Sequence, residues 1–268
     1  MNDENYYAPP AAELADPMMD SGGPEGLHGP VEFGDTLSRI FSFGMKHFSS
    51  FLPMAIFWGV LNMLVTGMTY RSLADIETNP SLSAFGGILV ACFILMLAAP
   101  LIWAVGLSQA HSLNTHGELQ SDVEIGLKRY APLFGCYFLY TLAAMVGMML
   151  CLVPGVILMT LLFPAGTIVI VEEKGPIESL ERAWRLCRGD GFYVFGILFV
   201  LMFVFGLISV MMNGGLTLIM GFAVGVDIVI IQSVYALIYG VLSFPFMMSM
   251  TYIIYTSLVA RRQTSRRR

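Results

Sequence analysis

Six stretches of this chain stay apolar for about the length a helix needs to cross a bilayer, roughly 20 residues. They run at about 51–70, 85–108, 133–153, 156–171, 192–213 and 228–258. A backbone in hydrocarbon must satisfy its own N–H and C=O groups, so such runs become helices. Composition agrees: 56% of residues are hydrophobic and only 12% charged, where soluble domains carry about 25% charged. The expected class is all-α, a polytopic helical membrane protein with about six transmembrane helices. Its body spans 35–260, between an acidic tail at 1–34 and a basic tail at 261–268.

The tail at 1–34 is rich in Pro, Gly, Asp and Glu and cannot bury enough apolar surface to fold alone, so disorder is expected. The start, MNDENYYAPP, is acidic and lacks the apolar core of a signal peptide. The first span is therefore expected to serve as an uncleaved insertion signal. A short amphipathic helix is predicted at about 35–50, with Leu37, Ile40, Phe41, Met45 and Phe48 opposed to Arg39, Lys46 and His47.

Prolines and glycines punctuate the spans. Pro53 falls in the first turn of its span, where it is tolerated, and Pro100 and Pro245 predict bends. Pro154-Gly155 predicts a tight turn between the third and fourth spans. The fourth span is short and contains Pro164. Polar connections are expected at 71–83 and 109–132, and a Gly-rich apolar connection, looped or re-entrant, at 214–227.

Six spans put both termini on one face of the membrane. That face then collects Arg39, Lys46, Lys128, Arg129, Lys174, Arg182, Arg185, Arg188, Arg261, Arg262, Arg266, Arg267 and Arg268. Of the fourteen Lys and Arg, only Arg71 is left for the other side. The positive-inside rule then predicts cytoplasmic termini.

The longest charged segment inside the apolar body is EEKGPIESLERAWRLCRGDGFYVFG, Glu172 to Gly196. Pro176 suits a first helical turn. Ile177, Leu180, Trp184 and Cys187 recur at helical spacing as one apolar stripe. Glu178 and Arg182, and Glu181 and Arg185, form i,i+4 pairs with the acid first. Gly189 is a natural stop. An arginine-rich face opposite Trp and Leu describes a helix lying in the membrane interface.

The same layout recurs at HFSSFLPMAIF (47–57), RYAPLFGCYFL (129–139) and RGDGFYVFGIL (188–198), with His47, Arg129 and Arg188 at matching places. Each is a basic amphipathic segment leading directly into a span. This reads either as a pseudo-repeat or as the ordinary start of any hairpin whose ends face the cytoplasm.

The stretch VPGVILMTLLFPAGTIVIVEEKGPIESLERAWRLCRGDGFYVFG (153–196) resembles the signature region of the YciC-like bacterial inner-membrane proteins. It is similar also to the membrane domain sometimes fused to glycerophosphodiester phosphodiesterases. The shared features are Pro154-Gly155, an apolar span ending in Glu172-Glu173, GPIESLERAW with a basic helix, and Gly189 before an aromatic start. The resemblance implies a multi-pass protein of the bacterial inner membrane with a role in envelope or lipid homeostasis. No phosphodiesterase domain is present to carry that activity over.

No phosphate-binding loop, GxSxG, HExxH, CxxC or dinucleotide glycine pattern occurs, so no cofactor, metal or enzymatic activity is expected. Cys92, Cys136, Cys151 and Cys187 lack ligand spacing and read as small apolar residues. His111 and His116 are five apart and read as interfacial histidines. Asp227 is the one acid after Asp190. It is either an intramembrane polar site or the cap of the sixth helix. Asn62, Asn213 and Gln232 suit hydrogen bonds between helices.

The expected function is non-catalytic. Basic amphipathic helices would organise anionic lipid headgroups or dock a membrane partner through Lys128, Arg129, Arg182, Arg185, Arg188, Arg261 and Arg262. Nothing suggests nucleic acid as a partner. The alternative is a transporter or channel for a small or lipidic solute, motivated by proline-broken spans and Asp227.

Overall fold

A computed structural model describes residues 32–78, 82–115 and 122–267. The acidic tail up to residue 31, His116 and Arg268 lie outside the described residues. Ten α-helices follow in order: α1 (Phe33–Lys46), α2 (Phe48–Thr78), α3 (Leu82–Thr115), α4 (Asp122–Lys128), α5 (Tyr130–Leu150), α6 (Leu152–Leu162), α7 (Ala165–Val171), α8 (Pro176–Cys187), α9 (Gly191–Leu216) and α10 (Ile228–Arg267). No strand occurs among the described residues. Six segments are long and apolar enough to cross a membrane: Phe48–Glu77, Phe85–Asn114, Tyr130–Leu150, Leu152–Val171, Gly191–Gly221 and Ile228–Arg262. The protein is a polytopic helical membrane protein.

Several boundaries differ from the sequence expectation. α2 and α3 absorb most of the polar connection at 71–83, and α3 continues to Thr115. Polar residues at the end of a long helix leave the hydrocarbon without breaking the backbone ladder. Because α2 starts at Phe48, Pro53 sits one turn deeper than expected. The turn of the second hairpin is at Cys151, whose extended backbone (φ −171°, ψ 151°) separates α5 from α6. Pro154 therefore belongs to the first turn of α6, where its missing N–H costs nothing. Pro164 ends that helix, and the fourth span is α6 plus α7. The expected Gly-rich connection is mostly helical. α9 runs to Leu216 and continues as a π-helical turn over Thr217–Ala223, so only about 224–227 remains a loop. Apolar residues at that depth have no water to satisfy an open backbone, so the helix persists.

The three amphipathic-helix-plus-span units share a geometry. α1 and α4 each meet the following span at one hinge residue and α8 at the last of three linking residues, all three hinges near φ −100°, ψ 10°. These are His47 (φ −104°, ψ 16°), Arg129 (φ −94°, ψ 2°) and Asp190 (φ −107°, ψ 15°). Four residues beyond each hinge, Phe51, Leu133 and Val194 are fully buried. Their N–H groups donate to the hinge carbonyls at 3.2, 3.0 and 3.1 Å. Before the hinge, α1 buries Thr36, Ile40 and Gly44, and α8 buries Ser179, Ala183 and Cys187 in the same register. The third hinge is Asp190 and not the expected Arg188. Gly189, at φ +107°, adds a left-handed turn after α8 that other residues adopt only at a cost.

The hairpin ends interlock at one end of the bundle, here the basic end. Gln109 Nε2 near the end of α3 donates to the Ser50 carbonyl of α2 at 2.6 Å. Thr36 of α1 meets Tyr193 of α9 at 2.6 Å. The buried core gathers there: Phe51, Leu107, Ile168, Leu186, Ile197, Met248 and Leu258 belong to it. α10, with 40 residues, reaches about 60 Å against a hydrocarbon core of roughly 30 Å. The excess of the long helices builds this basic-end layer with α1, α4 and α8.

α10 packs chiefly on α2, the first span. They meet at Gly59 and Gly240, where a Cβ placed on Gly240 would lie 3.0 Å from the Gly59 Cα. Close backbone approach through small residues is the usual adhesive between helices in lipid. A ladder joins α9 to α10: Tyr239 to the Phe205 carbonyl at 3.4 Å, Ser209 to Tyr235, and Asn213 with Gln232 at 3.0 Å. A Cβ on Gly59 would meet the Leu237 carbonyl at 2.8 Å and Val241 Cγ2 at 2.7 Å. Gly59→Val should therefore destabilise the protein by about 1–3 kcal/mol. It should read as a lower thermal unfolding midpoint in detergent, while Gly86→Val, with open space around it, should leave the midpoint unchanged.

Candidate functional site: the basic end

Glu172, the C-cap of α7, is the junction of three elements. Its Oε1 accepts from Arg182 Nε of α8 at 3.2 Å and from Tyr255 Oη of α10 at 3.1 Å. Lys174 Nζ lies 3.0 Å from its Oε2. The carboxylate is only 16% exposed, so it needs these partners to be tolerated. Neighbouring Glu173 has φ +55°, a strained backbone for a residue with a Cβ. Arg129 holds it twice, through its carboxylate and by donating from Nη1 to its carbonyl at 2.9 Å. α5 is thereby tied to the α7–α8 link.

The end of α10 is docked in the same way. Arg261 Nε donates to Asp190 Oδ1 at 2.9 Å, and its guanidinium lies 4.2 Å over the Tyr193 ring. Arg262 donates from Nη2 to the Arg185 carbonyl and, at 2.9 Å, to the Arg188 carbonyl. These are terminal carbonyls of α8 that have no helical partner of their own. The first part of the expected basic tail, 261–268, is thus helix that caps another helix.

The seven cations predicted to act together therefore divide. Arg129, Arg182, Arg261 and Arg262 are engaged in holding the basic end together. Lys128, Arg185 and Arg188 point to solvent. Lys128 pairs with Glu124 at 2.7 Å, each side chain 71% exposed, and this hydrogen bond holds the Glu124 carboxyl below its usual range. Arg185 pairs loosely with Glu181 at 3.7 Å. Exposed pairs of this kind are worth little, so both cations remain available to other anions.

The stripe predicted on α8 is also divided. Cys187 is buried and Leu180 half-buried, but Ile177 is 71% exposed and Trp184 faces outward. The buried face is instead Ser179, Ala183, Leu186 and Cys187, because α8 lies close under α5, α6 and α7 where small residues fit. Burial pushes the Cys187 thiol up to about 12, which leaves it unreactive. α1 behaves likewise: Phe41 and Met45 of its predicted apolar set are exposed.

Asp227 lies far from this end. It is exposed and caps α10, its Oδ1 accepting the Val229 N–H at 2.7 Å, as an N-cap residue does. Asn213 and Gln232 form the expected bond between helices. His111 lies 3.4 Å from the Tyr252 hydroxyl. No group of three potential metal ligands occurs among the described residues. Sequence reasoning missed the Glu172 junction, since Tyr255 is 83 residues away, though the acidic pair ending an apolar span was a visible signal. No protein-family model, curated protein or solved structure matches the chain.

Glu172→Ala would leave Arg182, Lys174 and Tyr255 without their shared acceptor. Its expected cost is about 1–3 kcal/mol, seen as a lower unfolding midpoint in detergent. Arg182→Ala should cost less in that background than alone, because the two share one network.

Proposed function

We propose that this protein is a non-catalytic, multi-pass component of a bacterial inner membrane. Its basic, cytoplasmic end grips anionic lipid headgroups and thereby organises lipid in that leaflet. The reading is supported by one observation above all: exposed cations stand beside exposed apolar side chains on all three basic-end helices. Lys46 follows Met45 on α1, Lys128 follows Leu127 on α4, and Arg185 and Arg188 accompany Ile177 and Trp184 on α8. Apolar groups that dip below the headgroups and cations that meet them are what an interfacial helix requires. The likeness of 153–196 to YciC-like proteins agrees with a role in the envelope. The transporter alternative loses one of its two motives, since Asp227 serves as an exposed helix cap, and keeps the proline-interrupted spans.

Each Lys or Arg near an anionic leaflet contributes about 1 kcal/mol, roughly fivefold in affinity. Arg185→Glu with Arg188→Glu should lower the preference for brominated anionic over brominated zwitterionic phospholipid at Trp184. The readout is fluorescence quenching in a variant whose only tryptophan is Trp184. An unchanged preference would refute the proposal. Sidedness is checked separately in a cysteine-free variant. A cysteine at Glu77 should react with an impermeant maleimide added to whole spheroplasts, and one at Lys46 only after lysis.

A further inference from the structure

We propose that the groove between α3 and α5 is a specific seat for one acyl chain of a membrane glycerophospholipid. The groove encloses about 330 Å³ and is walled by Ala99, Pro100 and Trp103 on α3 and by Phe134, Tyr137 and Thr141 on α5, among others. A second lobe of about 140 Å³ shares Trp103 and Tyr137 and reaches inward to Gly166 and Thr251. All of these residues belong to membrane-crossing segments. The solvent that reaches the groove is therefore hydrocarbon.

Three features favour a held chain over ordinary annular lipid. The walls are rigid aromatics: Trp103 and Tyr137 meet edge to face at 5.8 Å, so an occupying chain loses little to wall rearrangement. Tyr130 spans from α5 to α3 at the basic end, its hydroxyl donating to the Leu97 carbonyl at 3.0 Å. The dimensions also suit a lipid. From Phe134 to Met145 the groove extends about 16 Å, and Phe134 begins about 7 Å along α5 from Arg129. A headgroup phosphate at the level of the exposed Lys128 places its chain in register with the groove. Apart from Thr141 and the Tyr137 hydroxyl the groove is lined by apolar and aromatic side chains, so shape selects the occupant. The seat shares with the anionic-lipid proposal the bilayer and the level of Lys128, and it does not depend on Arg185 or Arg188.

The test uses the full chain with Trp58 and Trp184 changed to Phe, leaving Trp103 as reporter. It is reconstituted with phosphatidylcholine whose acyl chains are brominated. The expected result is quenching of Trp103 with a relative binding constant on the order of fivefold above that at Trp184 in the matching single-tryptophan protein. Ala99→Phe with Thr141→Phe should fill the groove and remove that excess. Arg185→Glu with Arg188→Glu should leave it intact, which separates this inference from the headgroup proposal. Equal constants at Trp103 and Trp184, or an excess that survives filling, would overturn it. In the unaltered protein, a photoactivatable acyl-chain phospholipid should cross-link to 134–145. Adducts confined to other helices would overturn it equally.

Discussion

Charge is excluded from hydrocarbon, and the structure follows from where this chain puts its cations. Each turn from an amphipathic helix into the membrane occurs just past that helix, at His47, Arg129 or Asp190. The chain bends there by one residue with φ near −100°, and a span begins. The bend leaves the hinge carbonyl pointing into the new helix, where the fourth residue on donates to it. One fully buried side chain follows each hinge, so every bend is also a core contact. Three separate segments reach the same solution with no more sequence in common than a basic stretch and an apolar one.

At the basic end the excess length of α3 and α10 changes the problem. Outside hydrocarbon these helices meet α1, α4 and α8, and the interior becomes that of a small soluble domain, with ion pairs threaded through it. Glu172 takes partners from two other helices, Arg129 restrains a strained glutamate, and Arg262 caps α8. A partly buried carboxylate is costly by itself, and it persists because three donors converge on it. Many of the arginines that the positive-inside rule counts are thus structural. The cations left facing outward are fewer, and each sits next to exposed apolar groups.

The number of spans, their polarity pattern and the gathering of cations at one end were legible in the sequence. Apolar run length and charge placement are one-dimensional quantities set by the bilayer. Helix ends were less legible. The Cys151 break, the length of α3 and the π-helical turn depend on hydrogen bonds that propensity does not encode. The face of α8 that the bundle buries was not legible for a related reason. The periodicity picked the largest apolar residues, Ile177 and Trp184, while close packing chose Ser179 and Ala183. Asp227 could be read two ways, and the N-cap geometry supports the simpler. Pairings such as Glu172 with Tyr255 join residues far apart in the chain, which no local pattern reveals.

The crossing of α2 and α10 at Gly59 and Gly240 has a consequence for biogenesis. α2 leaves the ribosome well before its principal neighbour α10, with about 180 residues of chain made between Gly59 and Gly240. Until then α2 must hold a narrow, backbone-lined strip against lipid, with α3 as its companion. Completion of the α2 seam is therefore postponed until α10 is made, and a chain truncated before α10 would leave the membrane holding an unpaired glycine seam.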